Sequence, residues 1–164
     1  MAPPESPEPI LAQVGEAIAL TRTDRAGARA LLAAAWTEVG ETGDALHRCA
    51  IAHAMADVQD TPADELVWDL RALAAADLLD DARLEAAGMA AIVADLIPSL
   101  HLNLADVYRR LGDTASARMH ADLAHAALGK LVGGGAATMM REALDRVTAQ
   151  LSECGHAHGS RNAH

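Results

Sequence analysis

Three residues whose types do chemistry recur at helical spacing in CAIAHAMAD: Cys49, His53 and Asp57 stand at i, i+4 and i+8 and share one stripe of a helix. An imidazole with a carboxylate one turn away is the arrangement of an acid–base pair, the Asp orienting the ring. The same spacing suits two metal ligands, but one helix supplies only two or three donors and the rest must come from elsewhere. A second stripe, Asn103, Asp106 and Arg110 with Arg109 beside it, lies in LNLADVYRR. There a guanidinium can hold a carboxylate through paired N–H donors.

The other histidines add less. His101 belongs with apolar neighbours and is expected inside, satisfied by a hydrogen bond, while His120 and His125 are five apart and point in different directions. His47 reads as a surface residue. The terminal GHAHGSRNAH could chelate loosely but reads as a polar tail. No serine elbow, phosphate loop or cofactor fingerprint accompanies these residues, and GGG at 133–135 lacks a preceding strand and a following Lys-Ser/Thr. Neither a metal nor a cofactor is expected. Catalysis would need a closed pocket, and the chain has few bulky side chains to line one, so binding is favoured over an enzyme.

The elements that must carry these stripes are helices. Of the 164 residues 51% are hydrophobic, mostly Ala and Leu, and only 2% are aromatic: Trp36, Trp68 and Tyr108. Both dominant residues are strong helix formers, and small side chains let helices approach closely. The fold class is all-α. A net charge of −10 argues against nucleic acid, which needs concentrated Lys and Arg, and against an anionic membrane surface. No apolar run approaches the ~20 residues of a membrane span, and MAPPESPEP is not a secretory signal. Cys49 and Cys154 sit in no metal or redox spacing and read as reduced thiols of a cytoplasmic protein.

Residues 1–8 read as a disordered leader, 9–152 as one helical domain and 153–164 as a flexible tail. Asp24, Asp44, Thr61 and Thr114 are the expected N-caps, with Pro62 in the first turn of its helix and Gly40, Gly43 and Gly112 at helix ends. Residues 82–97 form a helical segment interrupted by Gly88 and ended by Pro98, either separate or running on into the next helix. The following helices span about 98–111, 115–130 and 136–152. Connections this short force antiparallel neighbours.

The pair at 98–128 resembles the tetratricopeptide repeat, a helical hairpin. Leu104, Ala105, Tyr108, Gly112, Ala117 and Ala124 occupy its characteristic sites, with His101 where the family usually has Trp and Ala121 where it has an aromatic. Residues 46–73 match more loosely through Ile51, Ala52, Met55 and Ala72, and 9–36 through Val14, Gly15, Ile18, Leu32 and Ala35. The resemblance implies antiparallel pairs stacked as a short right-handed α-solenoid, a C-terminal capping helix, and Trp36 and Trp68 packed between repeats. It also implies a concave groove formed by Gln13, Glu16, Cys49, His53, Asp57, Asn103, Asp106, Arg109 and Arg110. The implied function is a protein- or peptide-binding adaptor, and a homodimer is compatible with it. The alternative is a small-molecule-binding protein or enzyme centred on His53 and Asp57.

Overall fold

The computed structural model describes residues 9–86, 88–131 and 133–159, with the backbone alone at 83, 86 and 154–159. The expected leader and the last residues of the expected tail lie outside that set. Among the described residues every regular element is a helix, so the chain is all-α. The elements are α1 Pro9–Leu20, α2 Arg25–Val39, α3 Ala45–Ala56, α4 Pro62–Ala76, α5 Asp81–Ala86, α6 Ala90–Leu111, α7 Thr114–Leu128 and α8 Gly135–Gly159. They fall into two compact units, Met1–Leu79 and Asp80–His164.

Local chemistry sets the helix starts of the first unit. Asp24 accepts from the Gly27 amide, Asp44 from the Leu46 and His47 amides, and Thr61 from the Asp64 amide with Pro62 next in line. Each cap satisfies N–H groups that the helix itself leaves orphaned. α1 pairs with α2, α3 packs on both, and α4 pairs with α3. Their core joins Ile10, Val14 and Ala17 of α1, Ala28, Leu32 and Ala35 of α2, and Ile51, Ala54, Met55 and Val58 at and beyond α3. α3 also buries Cys49, Ala52 and Ala56, outside that cluster and on the side left for α4, which buries Asp69, Ala72, Ala75 and Ala76. Small residues on both surfaces allow the two backbones to come close. Arg29 Nε donates to the Val58 carbonyl at 3.0 Å, and Arg25 reaches that of Gln59, so cations from α2 close the carbonyl end of α3.

In the second unit α6 pairs with α7, α8 packs on both, and α5 leans on α6. The sequence leaves open whether the segment before Pro98 is separate from the helix after it, and the structure joins them from Ala90 on: α6 runs through Pro98 as a single helix of 22 residues. An interior proline removes one backbone hydrogen bond and costs about 3 kcal/mol. Burial offsets that cost here: Pro98 is itself buried, with Val93 before it and Leu100, Leu104, Ala105 and Val107 after it. By running through Pro98, α6 becomes long and apolar enough to cross a membrane by length and composition, a property that packed core helices share. The N-cap of α7 is Asp113, which accepts from the Ser116 amide, and the expected cap Thr114 is instead the first helical residue. Gly112, at φ 83°, closes α6 in the left-handed conformation that other residues adopt only at a cost. Ala117, Ala121, Ala124 and Leu128 of α7 pack with Leu144, Val147 and Leu151 of α8 and with Ala105 of α6. α8 runs to Gly159, past the expected end at 152.

Candidate functional site

The α6 stripe is organised around one carboxylate. Asp106 lies three residues before Arg109 and four before Arg110, the two spacings that share a helix face. Its Oδ1 accepts from Arg109 Nε at 3.1 Å and Nη2 at 2.7 Å, and its Oδ2 accepts from Arg110 Nε at 2.9 Å. The Arg109, Arg110 and Asp106 side chains are 24%, 31% and 35% exposed, so the cluster borders solvent. Two guanidiniums against one carboxylate leave these three groups one positive charge in excess. Asn103 stands one turn earlier on the same stripe and is half-buried. The structure therefore brings Asp106, Arg109 and Arg110 together as a clamped set.

The α3 stripe is a different kind of object. Cys49 has no exposed surface, and burial pushes its thiol up to about 12, so it lines no surface that a ligand could reach. Ala52 and Ala56, on the same face of α3, are buried with it, and α3 pairs with α4. Burial lowers the His53 pKa, partly opposed by the charge of Asp57. Asp57 is shifted up by burial and by Glu65, against the pull of His53 and Arg25. Its outer edge is nevertheless exposed, which fits its place at the C-terminal end of α3. The i, i+4 pair is thus electrostatically coupled, as its spacing predicts. From α1, Gln13 donates to the Leu31 carbonyl at 2.9 Å and spends its amide on holding α2, while Glu16 is exposed.

The burial of Asp69 and the pairing of His120 with His101 are not expected from the sequence. Asp69 of α4 is completely buried in the first unit. Its place was legible, because it shares the i, i+3, i+7 face of Ala72 and Ala76, the small residues that mark close helix packing. His120 of α7 is also buried and meets His101 of α6, Nδ1 to Nδ1, at 3.0 Å. The expectation that His101 is satisfied by a hydrogen bond holds, and His120 is its partner, while His125 points away from it to solvent. Tyr108 lies parallel to the His120 ring, with centroids 5.6 Å apart and planes 6° apart. Burial, then the charge of His101, lowers the His120 pKa. The signal was the hairpin turn itself: both histidines lie two to three helical turns from Gly112, on opposite arms. His125 is exposed and His47 half-buried.

A cleft of about 280 Å³ opens between the first turns of α6 and the start of α8, lined by Ala91, Ala94, Asp95, Leu131, Gly133 and Ala137 among others. It carries no nucleophile or base besides Asp95. Among the described residues no three His, Cys, Asp or Glu side chains converge as metal ligands. The chain matches no protein-family model, no curated protein and no solved structure.

Proposed function

We propose that the protein is a helical-hairpin binding module that takes a carboxylate of a peptide or partner protein on the α6 stripe of Asn103, Arg109 and Arg110. The observation that carries this reading is the clamp by Asp106, which holds both guanidiniums in place at the solvent border. Side chains already ordered lose less rotamer entropy when a ligand arrives, so more of each charge-assisted hydrogen bond appears as affinity. Within each unit the adjacency of helices supports tetratricopeptide-like packing of hairpins, with α8 in the place of a cap in the second. α3 packs on both members of the pair before it, and α8 packs on both α6 and α7. In such an array the polar positions of the first helix in each pair form the ligand face.

An acidic peptide library, synthesised with free or amidated C-termini and read by fluorescence polarisation, tests the reading. Carboxylate-bearing peptides should bind, and their amides should bind less. Arg110→Ala should weaken binding by about 1–3 kcal/mol, as loss of a charged hydrogen bond does, with Tm nearly unchanged. Equal binding by wild type and Arg110→Ala, or by acid and amide, defeats it. The competing site at His53 and Asp57 has their charge coupling in its favour. Binding that His53→Ala abolishes and Arg110→Ala spares would move the function there.

A further inference from the structure

We propose that the outer face of α4 is a docking surface for a cationic amphipathic helix of a partner protein. The face is defined by what α4 leaves uncovered. The helix pairs with α3 and buries Asp69, Ala72, Ala75 and Ala76. On its other side Ala63, Val67, Leu70 and Ala74 stand at i, i+4, i+7 and i+11, and all four are exposed. Val67 is 49% exposed and Leu70 41%, and Leu78, in the turn after the helix, is 63% exposed. Leu66 and Leu73 flank the stripe and are half-buried. From Ala63 to Ala74 the stripe runs about 16 Å, three helical turns, and carries no charged residue.

A helix at the surface of a globular protein ordinarily turns its polar side to water, and one that is apolar all round is covered all round. α4 reverses that order: its Asp69 is inside and its outer stripe is apolar. Single apolar side chains on a surface need no explanation, but a continuous stripe marks a place where another molecule binds.

The charges at the rim choose the occupant. Asp64 precedes Val67 by three residues on one edge, Asp77 follows Ala74 by three on the other, and both are exposed. The one cation of the helix, Arg71, lies over the indoles of Trp68 and Trp36 and faces Glu41 at 3.8 Å. A second copy laid antiparallel on the stripe would set Asp64 of each copy beside Asp77 of the other, between chains of net charge −10. An anionic membrane surface meets the same repulsion. A helix whose apolar stripe is bordered by Lys or Arg instead answers both carboxylates, and its larger side chains fill the dips over Ala63 and Ala74. The surface belongs to the first unit and is independent of carboxylate binding on α6 in the second.

The probe is a labelled peptide of about 18 residues, five helical turns, built from Leu, Ala and Lys with Leu on one stripe and Lys on both borders. A Glu-for-Lys counterpart and a permuted peptide of the same composition without a stripe are the controls. By fluorescence polarisation the full chain should bind the Lys helix saturably, and each control about tenfold more weakly or worse. Replacing Val67→Gln and Leu70→Gln together should weaken binding by about tenfold or more. Both side chains are exposed, so this variant should keep the wild-type Tm. Asp64→Asn with Asp77→Asn should weaken binding about three- to tenfold and flatten its salt dependence. Asn at 64 keeps an oxygen to accept from the Thr61 hydroxyl, so the helix start survives. Equal binding of either control peptide overturns the proposal on the wild-type chain, whether or not a variant folds. So does unchanged binding by the Val67 and Leu70 variant. Self-association of the free chain in sedimentation equilibrium, abolished by that variant, would give the face to a second copy instead.

Discussion

The indole of Trp68 on α4 meets that of Trp36 on α2 edge to face, with centroids 5.1 Å apart and planes at 88°. The Arg71 guanidinium covers the pair, 4.5 Å from the Trp68 centroid and 5.5 Å from that of Trp36. Each indole presents its polar edge or negative face to a complementary partner, so the contact adds to simple burial. It joins the second arm of the first hairpin to the second arm of the next. Trp68→Ala should therefore destabilise the first unit by about 2–3 kcal/mol, below a fully buried aromatic because both rings are partly exposed. Arg71→Ala should cost about 0.5–1 kcal/mol. Urea unfolding followed through Trp36 fluorescence measures both, and a loss under about 0.5 kcal/mol for Trp68→Ala would mean that the two helices hold without the contact.

Tyr108 makes the matching contact in the second unit. It is only half-buried, so Tyr108→Ala should cost on the order of 2 kcal/mol rather than the 3–5 of a fully enclosed ring. Removing the ring also admits water to His120, whose pKa should rise toward the ordinary 6.5 as the desolvation weakens. Thermal unfolding and a histidine NMR titration check the two effects separately.

Cys49 should be inert in the folded protein. A thiol held near 12 and without exposed surface offers almost no thiolate at neutral pH. Iodoacetamide at pH 8 followed by peptide mapping should leave Cys49 unmodified under native conditions and modify it fully in urea. Rapid native labelling would show that the α3–α4 hairpin opens readily.

The first unit should lose stability in mild acid through His53. Burial favours its neutral form, so the unfolded chain holds that proton more tightly, and stability falls as pH drops through about 6.5. His53→Gln removes the titration, and the stability gap between variant and wild type should shift in the variant's favour from pH 8 to pH 5. Asp57 acts in the opposite sense. Its raised pKa contributes stability at low pH that is lost as pH rises above about 4, an effect that its exposed edge weakens through solvent screening. Trp fluorescence reports both, since Trp36 and Trp68 lie in this unit. A pH dependence that His53→Gln leaves unchanged would assign the acid sensitivity to other groups.

The sequence by itself determined the helices, most of their caps and the pairing of neighbours, because those depend on residues within about four positions of one another. Asp24, Asp44 and Thr61 could be identified as caps from the chain alone, as could the stripe of Asp106, Arg109 and Arg110. Where two local signals were adjacent, as at Asp113 and Thr114, the choice went to the carboxylate, which reaches the Ser116 amide from outside the helix. Tertiary structure decided what depends on the register between helices and on the total burial of an element. Pro98 leaves open within its own turn whether the helix continues, and only the apolar surface buried along α6 carries the helix through it. Cys49 and Asp57 share one stripe, but the packing around α3 encloses the first and leaves the second at the rim. His101 and His120 are nineteen residues apart, and nothing local to either brings two Nδ1 atoms to 3.0 Å. That distance exists because Gly112 reverses the chain and because Ala105 and Ala117 let α6 and α7 close over the turn.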